Sequence, residues 1–329
     1  MCWGFNGSGQ LGDGTATNSS TPVVVSGISA VVDLALGDNH SCAVSGGGTV
    51  HCWGDNSAGQ LGDGTTTNAS TPVEVPGIDS AVAVAGGEAH TCALLADGSV
   101  RCWGSNSAGQ LGTGTFDSST VPVPVAGLAA AKSLTAGAAH SCATIAGDTA
   151  RCWGFNGFGQ LGDGTGGTSA TPVEVAFAGP VQSLDMGQLH SCGIDSADEL
   201  MCWGDNLEGQ LGDGTTDSAL SPVPVDLPSG ILDVSAGWSH TCAIDGSGAV
   251  SCWGANESAQ LGRPAGASSP DPAAVSGIAG ATSVTAGGHH SCAVTGTGSI
   301  RCWGANGAGQ LGNADTVDSA QPVTVVGIT

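Results

Sequence analysis

The sequence predicts an all-β fold: a seven-bladed β-propeller of four-stranded blades, with six complete blades and one half blade present. Three observations predict it. The stretch Cys52-Trp53-Gly54-Asp55-Asn56-Ser57-Ala58-Gly59-Gln60-Leu61-Gly62 recurs with small changes from Cys2, Cys102, Cys152, Cys202, Cys252 and Cys302, always fifty residues on. A period of this length belongs to propellers and solenoids. Prolines stand in the same phase at 22, 72, 122, 172, 222, 272 and 322. The third observation is compositional: 57 glycines, 10% charged residues and no tyrosine suit short strands joined by turns, not long amphipathic helices.

The segment from Gly27 to Gly77 contains one full repeat. Ile28 to Leu36 reads as a buried strand, Gly37-Asp38-Asn39 as a turn, and His40 to Val44 as a second strand. Gly46-Gly47-Gly48 turns the chain into a third strand, Thr49 to Trp53. A long Gly- and Thr-rich loop leads to Pro72-Val73-Glu74-Val75, a short strand opened by proline, which suits an edge. The whole of 1–329 then forms a single domain. Residues 1–27 are the outer half of one blade, and six blades run from 28–77 through 278–329.

The turn between second and third strands sets a register. At Ala96-Asp97-Gly98, a three-residue loop with Gly in the left-handed position places Leu95 opposite Ser99, Leu94 opposite Val100 and Cys92 opposite Cys102. A two-residue Asp-Gly turn would set Cys92 against Trp103 instead. Glycine at 48, 98, 248 and 298 favours the first register, whereas Gly147-Asp148 and Ala197-Asp198 depart from it. The favoured register yields the cross-strand pairs Cys42–Cys52, Cys92–Cys102, Cys142–Cys152, Cys192–Cys202, Cys242–Cys252 and Cys292–Cys302. As disulfides these imply an oxidising setting: extracellular, periplasmic or cell-surface. The alternative is twelve buried thiols serving as small hydrophobes. Cys2 is left unpaired. Seven full repeats would need about 350 residues, so roughly two inner strands are wanting, either by truncation or because another chain supplies them by strand addition.

The formal net charge is −23, from 5 basic and 28 acidic residues. That field repels phosphate backbones and anionic bilayers, so neither nucleic-acid binding nor membrane insertion is expected, and no apolar run reaches the length of a membrane span. Met1 is followed at once by the repeat, with no secretory leader, and the chain reads as a mature domain or fragment. The in-phase histidines His40, His90, His140, His190, His240 and His290 suggest a metal ring. Equivalent positions on a propeller lie too far apart to share one ion, so hydrogen-bonded structural roles are expected and no metal or other cofactor. Asp13-Gly14-Thr15 and Asp63-Gly64-Thr65 resemble part of a calcium loop but lack its alternating carboxylates and terminal Glu. No nucleophile elbow, zinc-protease pair or phosphate loop occurs, so no catalytic residue is assigned and no enzyme is expected.

Ala-Gly-x-x-His-Ser/Thr-Cys-Ala combined with Cys-Trp-Gly-x-Asn-x-x-Gly-Gln-Leu-Gly resembles the regulator of chromosome condensation repeat family over essentially the whole chain. The resemblance implies a seven-bladed propeller whose blades are completed by strands from both chain ends. It does not imply one activity: that family includes a Ran nucleotide exchange factor, a plant ultraviolet-B photoreceptor and a secreted bacterial β-lactamase inhibitory protein. The repeated letters have structural roles. Asn56 and Gln60 can satisfy loop backbone groups, and Trp53 and Leu61 can pack between blades.

Specificity in a repeat protein is expected where the repeat lets residues vary. One such place is the pair before each histidine, including Asp38, Glu88, Leu189, Trp238 and His289. The other follows Cys-Trp-Gly and includes Phe155, with Phe158 nearby. Seven of the eight tryptophans lie in Cys-Trp-Gly, and Trp238 does not. Trp238, Leu189, His289, Phe155, Phe158, Glu88 and Asp38 are therefore the candidate partner-binding residues. The expected function is a non-catalytic, extracellular or surface-exposed protein-interaction module that binds an unidentified protein. The rivals are a structural repeat of an adhesin or filament, self-associating through the incomplete blade, and a guanine nucleotide exchange factor.

Overall fold

The computed structural model describes residues 1–328. Twenty-six strands, β1 to β26 in chain order, are the regular elements of these residues, with no helix among them. They form six four-stranded antiparallel sheets and one two-stranded sheet, β1(Cys2–Gly4) with β2(Ser19–Val23). In the first four-stranded sheet β3(Val31–Leu36), β4(His40–Ser45), β5(Val50–Gly54) and β6(Ala69–Glu74) lie in sequence order, and the other five repeat this meander. The first strands of successive blades, β3, β7(Ala81–Gly86), β11(Ala131–Ala136), β15(Val181–Met186), β19(Ile231–Ala236) and β23(Ala281–Ala286), pack side by side. The chain is thus an all-β propeller with six four-stranded blades arranged in a ring.

One recurrent interaction ties neighbour to neighbour. The main-chain carbonyl of Gln60 accepts the Trp103 indole N–H at 2.9 Å and the Thr91 hydroxyl at 2.8 Å. Both donors come from the following blade. Trp103 also packs beside Cys42, Cys52 and Leu61 of the preceding blade, so its burial and its hydrogen bond act across the same seam. The same indole bond links Trp153 to Gln110, Trp203 to Gln160, Trp253 to Gln210 and Trp303 to Gln260. The two-stranded sheet takes part on both sides, since Trp53 and Ser41 donate to Gln10 O and Trp3 donates to Gln310 O. Gly62 permits the approach. Its backbone has φ +72°, and an added Cβ would stand 2.6 Å from Trp103 Nε1.

The histidines belong to the same seams. His40 Nε2 lies 2.8 Å from Thr91 Oγ1, and Ser141, Ser191, Thr241 and Ser291 serve His90, His140, His190 and His240 in turn. Each hydroxyl gives its own hydrogen to a glutamine carbonyl. It can therefore only accept from the imidazole, which fixes the Nε2-protonated tautomer. Nδ1 is left as a buried acceptor with no partner. Protonating it would place a charge in an apolar seam, and burial lowers these five pKa values to about 3 or 4.

Cys92 faces Cys102, Leu94 faces Val100, and Leu95 N–H bonds Ser99 O, as the three-residue turn requires. The two irregular hairpins keep that register: Cys142 faces Cys152 and Cys192 faces Cys202, with Asp148 and Asp198 each at φ +58° where other blades have glycine. All six cysteine pairs are disulfides, and Cys2 is free. Asn56 and Gln60 hold their loop as expected: Asn56 Oδ1 accepts Leu61 N–H, its Nδ2 donates to Thr65 and Thr67 carbonyls, and Gln60 Oε1 accepts Ala58 N–H. Asp63 is absorbed in the same loop, accepting from Asn56 and Thr65.

Two expectations need correction. Pro72 does not open its strand but is the fourth residue of β6, at an irregularity between Gly54↔Ala69 and Cys52↔Val73. An outer edge with a bulge needs no N–H there. The first strand begins at Val31, not Ile28, and is not buried. Val31, Leu34 and Leu36 are 45%, 48% and 63% exposed, whereas the equivalent Ala81 and Val84 are 4% and 6% exposed. β7 is covered by first strands on both sides, β3 and β11, whereas the first strand that packs closely on β3 is β7.

Three outcomes follow for stability. Thiol titration of the denatured, unreduced protein should find one reactive cysteine, and thirteen after reduction. Acid should unfold the ring: between pH 6.5 and about 4 the unfolded chain binds protons that six imidazoles refuse, His290 being lowered to about 4 by burial like the other five, at a cost of about 1.4 kcal/mol per group per pH unit. Asp185, raised by burial to about 6, works the other way together with Asp38 and Asp233, but these carboxyls are fewer than the imidazoles. The urea midpoint should therefore be flat from pH 7 to 8 and fall steeply below 6.5. Asp198→Gly, which relieves a left-handed non-glycine residue, should raise the urea-unfolding stability by up to about 1 kcal/mol.

Candidate functional site

The loops between first and second strands hold the residues that precede each histidine, and main-chain bonds chain them from blade to blade. Glu88 N–H donates to Ala138 O, Ala138 N–H to Gln188 O, and Gln188 N–H to Gly237 O. The second variable set is bonded to the first. Asp55 N–H donates to Asn39 O, Phe155 N–H to Ala139 O, Asp205 N–H to Leu189 O, and Ala305 N–H to His289 O. Both sets therefore occupy one end of the propeller, over loops bonded in series from Glu88 to Gly237.

Trp238 is 37% exposed and bridges distant parts of this end. Its ring meets His289 of the next blade edge-on, with centroids 4.9 Å apart at 77°, and lies against Gly288, where an added Cβ would be 3.1 Å away. The Asp38 carboxyl, in the first four-stranded blade, lies near enough to the Trp238 indole to feel it. Burial and the negative charge of Glu88 raise the Asp38 pKa, and the nearby Trp238 indole works against the rise. His289 Nδ1 stands 3.3 Å from Glu257 Oε1. Trp238, His289, Asp38 and Glu88 are thus brought together into one acidic, aromatic-centred group.

Leu189, Phe155 and Phe158 lie apart from it. Phe155 and Phe158 form their own edge-to-face pair, with centroids 6.4 Å apart, and half-buried Leu189 supplies its carbonyl to the loop of Asp205. Sequence reasoning overlooked Glu257, which falls outside the variable positions it considered. It also overlooked Asp185, whose carboxylate accepts Ala236 N–H across two first strands. A carboxylate between the apolar Leu184 and Met186 of a first strand was the available signal for Asp185. Asp33 and Asp233 make comparable bonds to Val84 and Val284 N–H. Among the described residues no group of three or more His, Cys, Asp or Glu side chains is placed to hold a metal ion, and no helix is long and apolar enough to cross a membrane.

No curated protein sequence matches the chain significantly. Among solved structures, human WBSCR16 superposes with a TM-score of 0.90 at 21% identity, covering 98% of this chain and 92% of that one. Yeast RCC1 (Prp20), solved with Kap60, gives 0.88 at 21%, covering 98% and 82%. Prp20p from Saccharomyces cerevisiae, described with its binding properties to Gsp1p and histones, gives 0.88 at 23%, covering 98% and 85%. At these identities the likeness establishes the fold alone. The family model described as the RCC1-like domain matches residues 1–329, and with the ring and its repeated seams on hand, the chain belongs to that family.

Proposed function

We propose that this propeller is a non-catalytic protein-interaction module that works outside the reducing cytosol and binds a basic protein surface through the Trp238 end. The observation that carries the reading is the convergence of Trp238, His289, Asp38, Glu88 and Glu257 on a face whose backbone is tied from blade to blade. A rigid, part-exposed aromatic among carboxylates offers a partner an apolar anchor and charge complementarity without ordering any loop first. Leu189, Phe155 and Phe158 flank it as a secondary contact. Family members whose solved structures concern Kap60, Gsp1p and histones support protein recognition as the general use of the fold. Six disulfides favour an extracellular, periplasmic or cell-surface setting, and they count against exchange on a cytosolic or nuclear GTPase.

The β1–β2 sheet we read as the outer half of a seventh blade. It makes the same two indole-to-carbonyl seams, Trp3 with Gln310 and Trp53 with Gln10, that the six four-stranded blades make with one another.

Affinity capture from extracellular fractions with oxidised protein tests the interaction reading when Trp238→Ala and Asp38→Asn are run beside the parent. A specific partner should be retained by the parent, weakened at least about tenfold by Trp238→Ala, and bound more slowly at high salt. Equal retention by all three proteins would remove the anchor role. Accelerated nucleotide release from Ran would favour the exchange reading instead.

A further inference from the structure

In the loop after each Cys-Trp-Gly, the glutamine side chain accepts a loop N–H through its oxygen and needs an acceptor for its amide. Gln60 donates to Asp55 at 2.6 Å, Gln110 to Ser105 at 3.4 Å and Gln210 to Asp205 at 2.8 Å. Gln10, whose loop carries Phe5 in that position, donates instead to Asn39 of the first four-stranded blade at 3.2 Å. The acceptor thus comes either from the residue after Cys-Trp-Gly or from the residue before the next histidine.

Gln160 has neither, because Phe155 and Leu189 occupy those two positions. It is fully buried, and its Oε1 accepts Phe158 N–H while its Nε2 has no hydrogen-bond partner. A second orphan stands across the same seam. Asp205 is 7% exposed; its Oδ2 accepts from Gln210 and its Oδ1 is buried without a partner. The two residues approach at Gly204. A Cβ there would stand 2.7 Å from Leu189 O, which accepts Asp205 N–H, and 3.2 Å from Gln160 Cβ. Gln260 has an unpaired amide too, near His289, but no buried carboxylate oxygen accompanies it.

An unpaired buried polar atom is costly to a fold, and here a donor and an acceptor are left open together. Their surroundings are apolar. Phe155 lies over its own loop, where a Cβ at Gly157 would stand 2.6 Å from the ring, and it meets Phe158 edge-on. Leu207, two residues beyond Asp205, is exposed. We infer that Gln160 and Asp205, walled by Phe155, Phe158, Leu189 and Leu207, form a seat for a primary carboxamide, the Asn or Gln side chain of a protein partner. Its carbonyl accepts from Gln160 Nε2 and its N–H donates to Asp205 Oδ1, with the Phe155 ring swung off Gly157 to admit it. A carboxylate has no hydrogen for Asp205, and an ammonium has no lone pair for Gln160. Both orphans lie below the surface, within reach of a side chain but not of a main chain flanked by its own side chains. The inference rests on the protein-interaction reading and gives its secondary contact a chemistry.

Isovaleramide, titrated into isotopically labelled oxidised protein, is the probe, with the side-chain amide signals as the readout. The Gln160 signal should shift saturably. Methyl isovalerate, which cannot donate, and N-methylisovaleramide, which mimics a main chain, should each bind at least about tenfold more weakly. Phe155→Asp supplies the acceptor that Gln60 has in Asp55 and should abolish the shift, whereas Phe155→Ala, which removes the ring but supplies no acceptor, should keep it. Asp205→Asn retains an oxygen for Gln210 and puts a donor in place of Oδ1, so the preference for amide over ester should disappear. The inference is overturned by the absence of a saturable shift, by equal affinity for amide and either control, or by a shift that survives Phe155→Asp. An equal response to isoamyl alcohol would overturn it as well, marking a seat for water or a hydroxyl. Failure of the interaction reading is seen separately, as loss of partner capture while the isovaleramide titration stands.

Discussion

The ring depends on one main-chain acceptor used twice. In six of the seven Gly/Ala-Gln-Leu-Gly turns the glutamine carbonyl takes an indole N–H and a hydroxyl from the next unit, while that of Gln310 takes the Trp3 indole. Neither donor could be buried without it, since an unpaired indole or hydroxyl in an apolar seam costs a few kcal/mol. The hydroxyl, having given up its hydrogen, then dictates the histidine tautomer. Tryptophan, hydroxyl, histidine and the glycine that lets the indole close are therefore one device, and a change at any of them falls on the others.

This division of labour separates scaffold from surface. The constant residues are consumed in holding units together: Asn56 has its donors and acceptors taken up by its loop, and Asp63 serves that loop and not a metal. The residues before each histidine and after each Cys-Trp-Gly carry less of that burden. Asn39, Asp55 and Asp205 accept the side-chain amides of Gln10, Gln60 and Gln210, while exposed positions such as Leu207 and Trp238 make no such bond. The main chains of the two sets are bonded to each other. Side chains at those exposed positions can change without loosening the frame that presents them.

What was legible in the sequence was what depends on near neighbours. The Asp97-Gly98 turn determines that Cys92 meets Cys102, and a fifty-residue phase repeats the consequence around the ring. Asp148 and Asp198 hid the same turn because an aspartate tolerates the left-handed conformation that glycine signals. The exposure of β3 was not legible, because Val31, Leu34 and Leu36 are as apolar as a covered strand and only the neighbouring first strand decides their burial. The contact of Trp238 with Asp38 exists only once the ring brings distant blades together. Local spacing marks both residues as variable without saying that they meet.

The covalent and non-covalent ties are also arranged on different scales. Every disulfide closes a loop within one blade, between cysteines ten residues apart, and every seam between blades is held by hydrogen bonds and packing alone. Under tension the seams are the parts that can yield. The chain would lengthen blade by blade while each staple withheld roughly 30–35 Å of contour from extension. Such a molecule has a built-in limit to its stretched length, set by oxidation and not by the strength of its folded contacts.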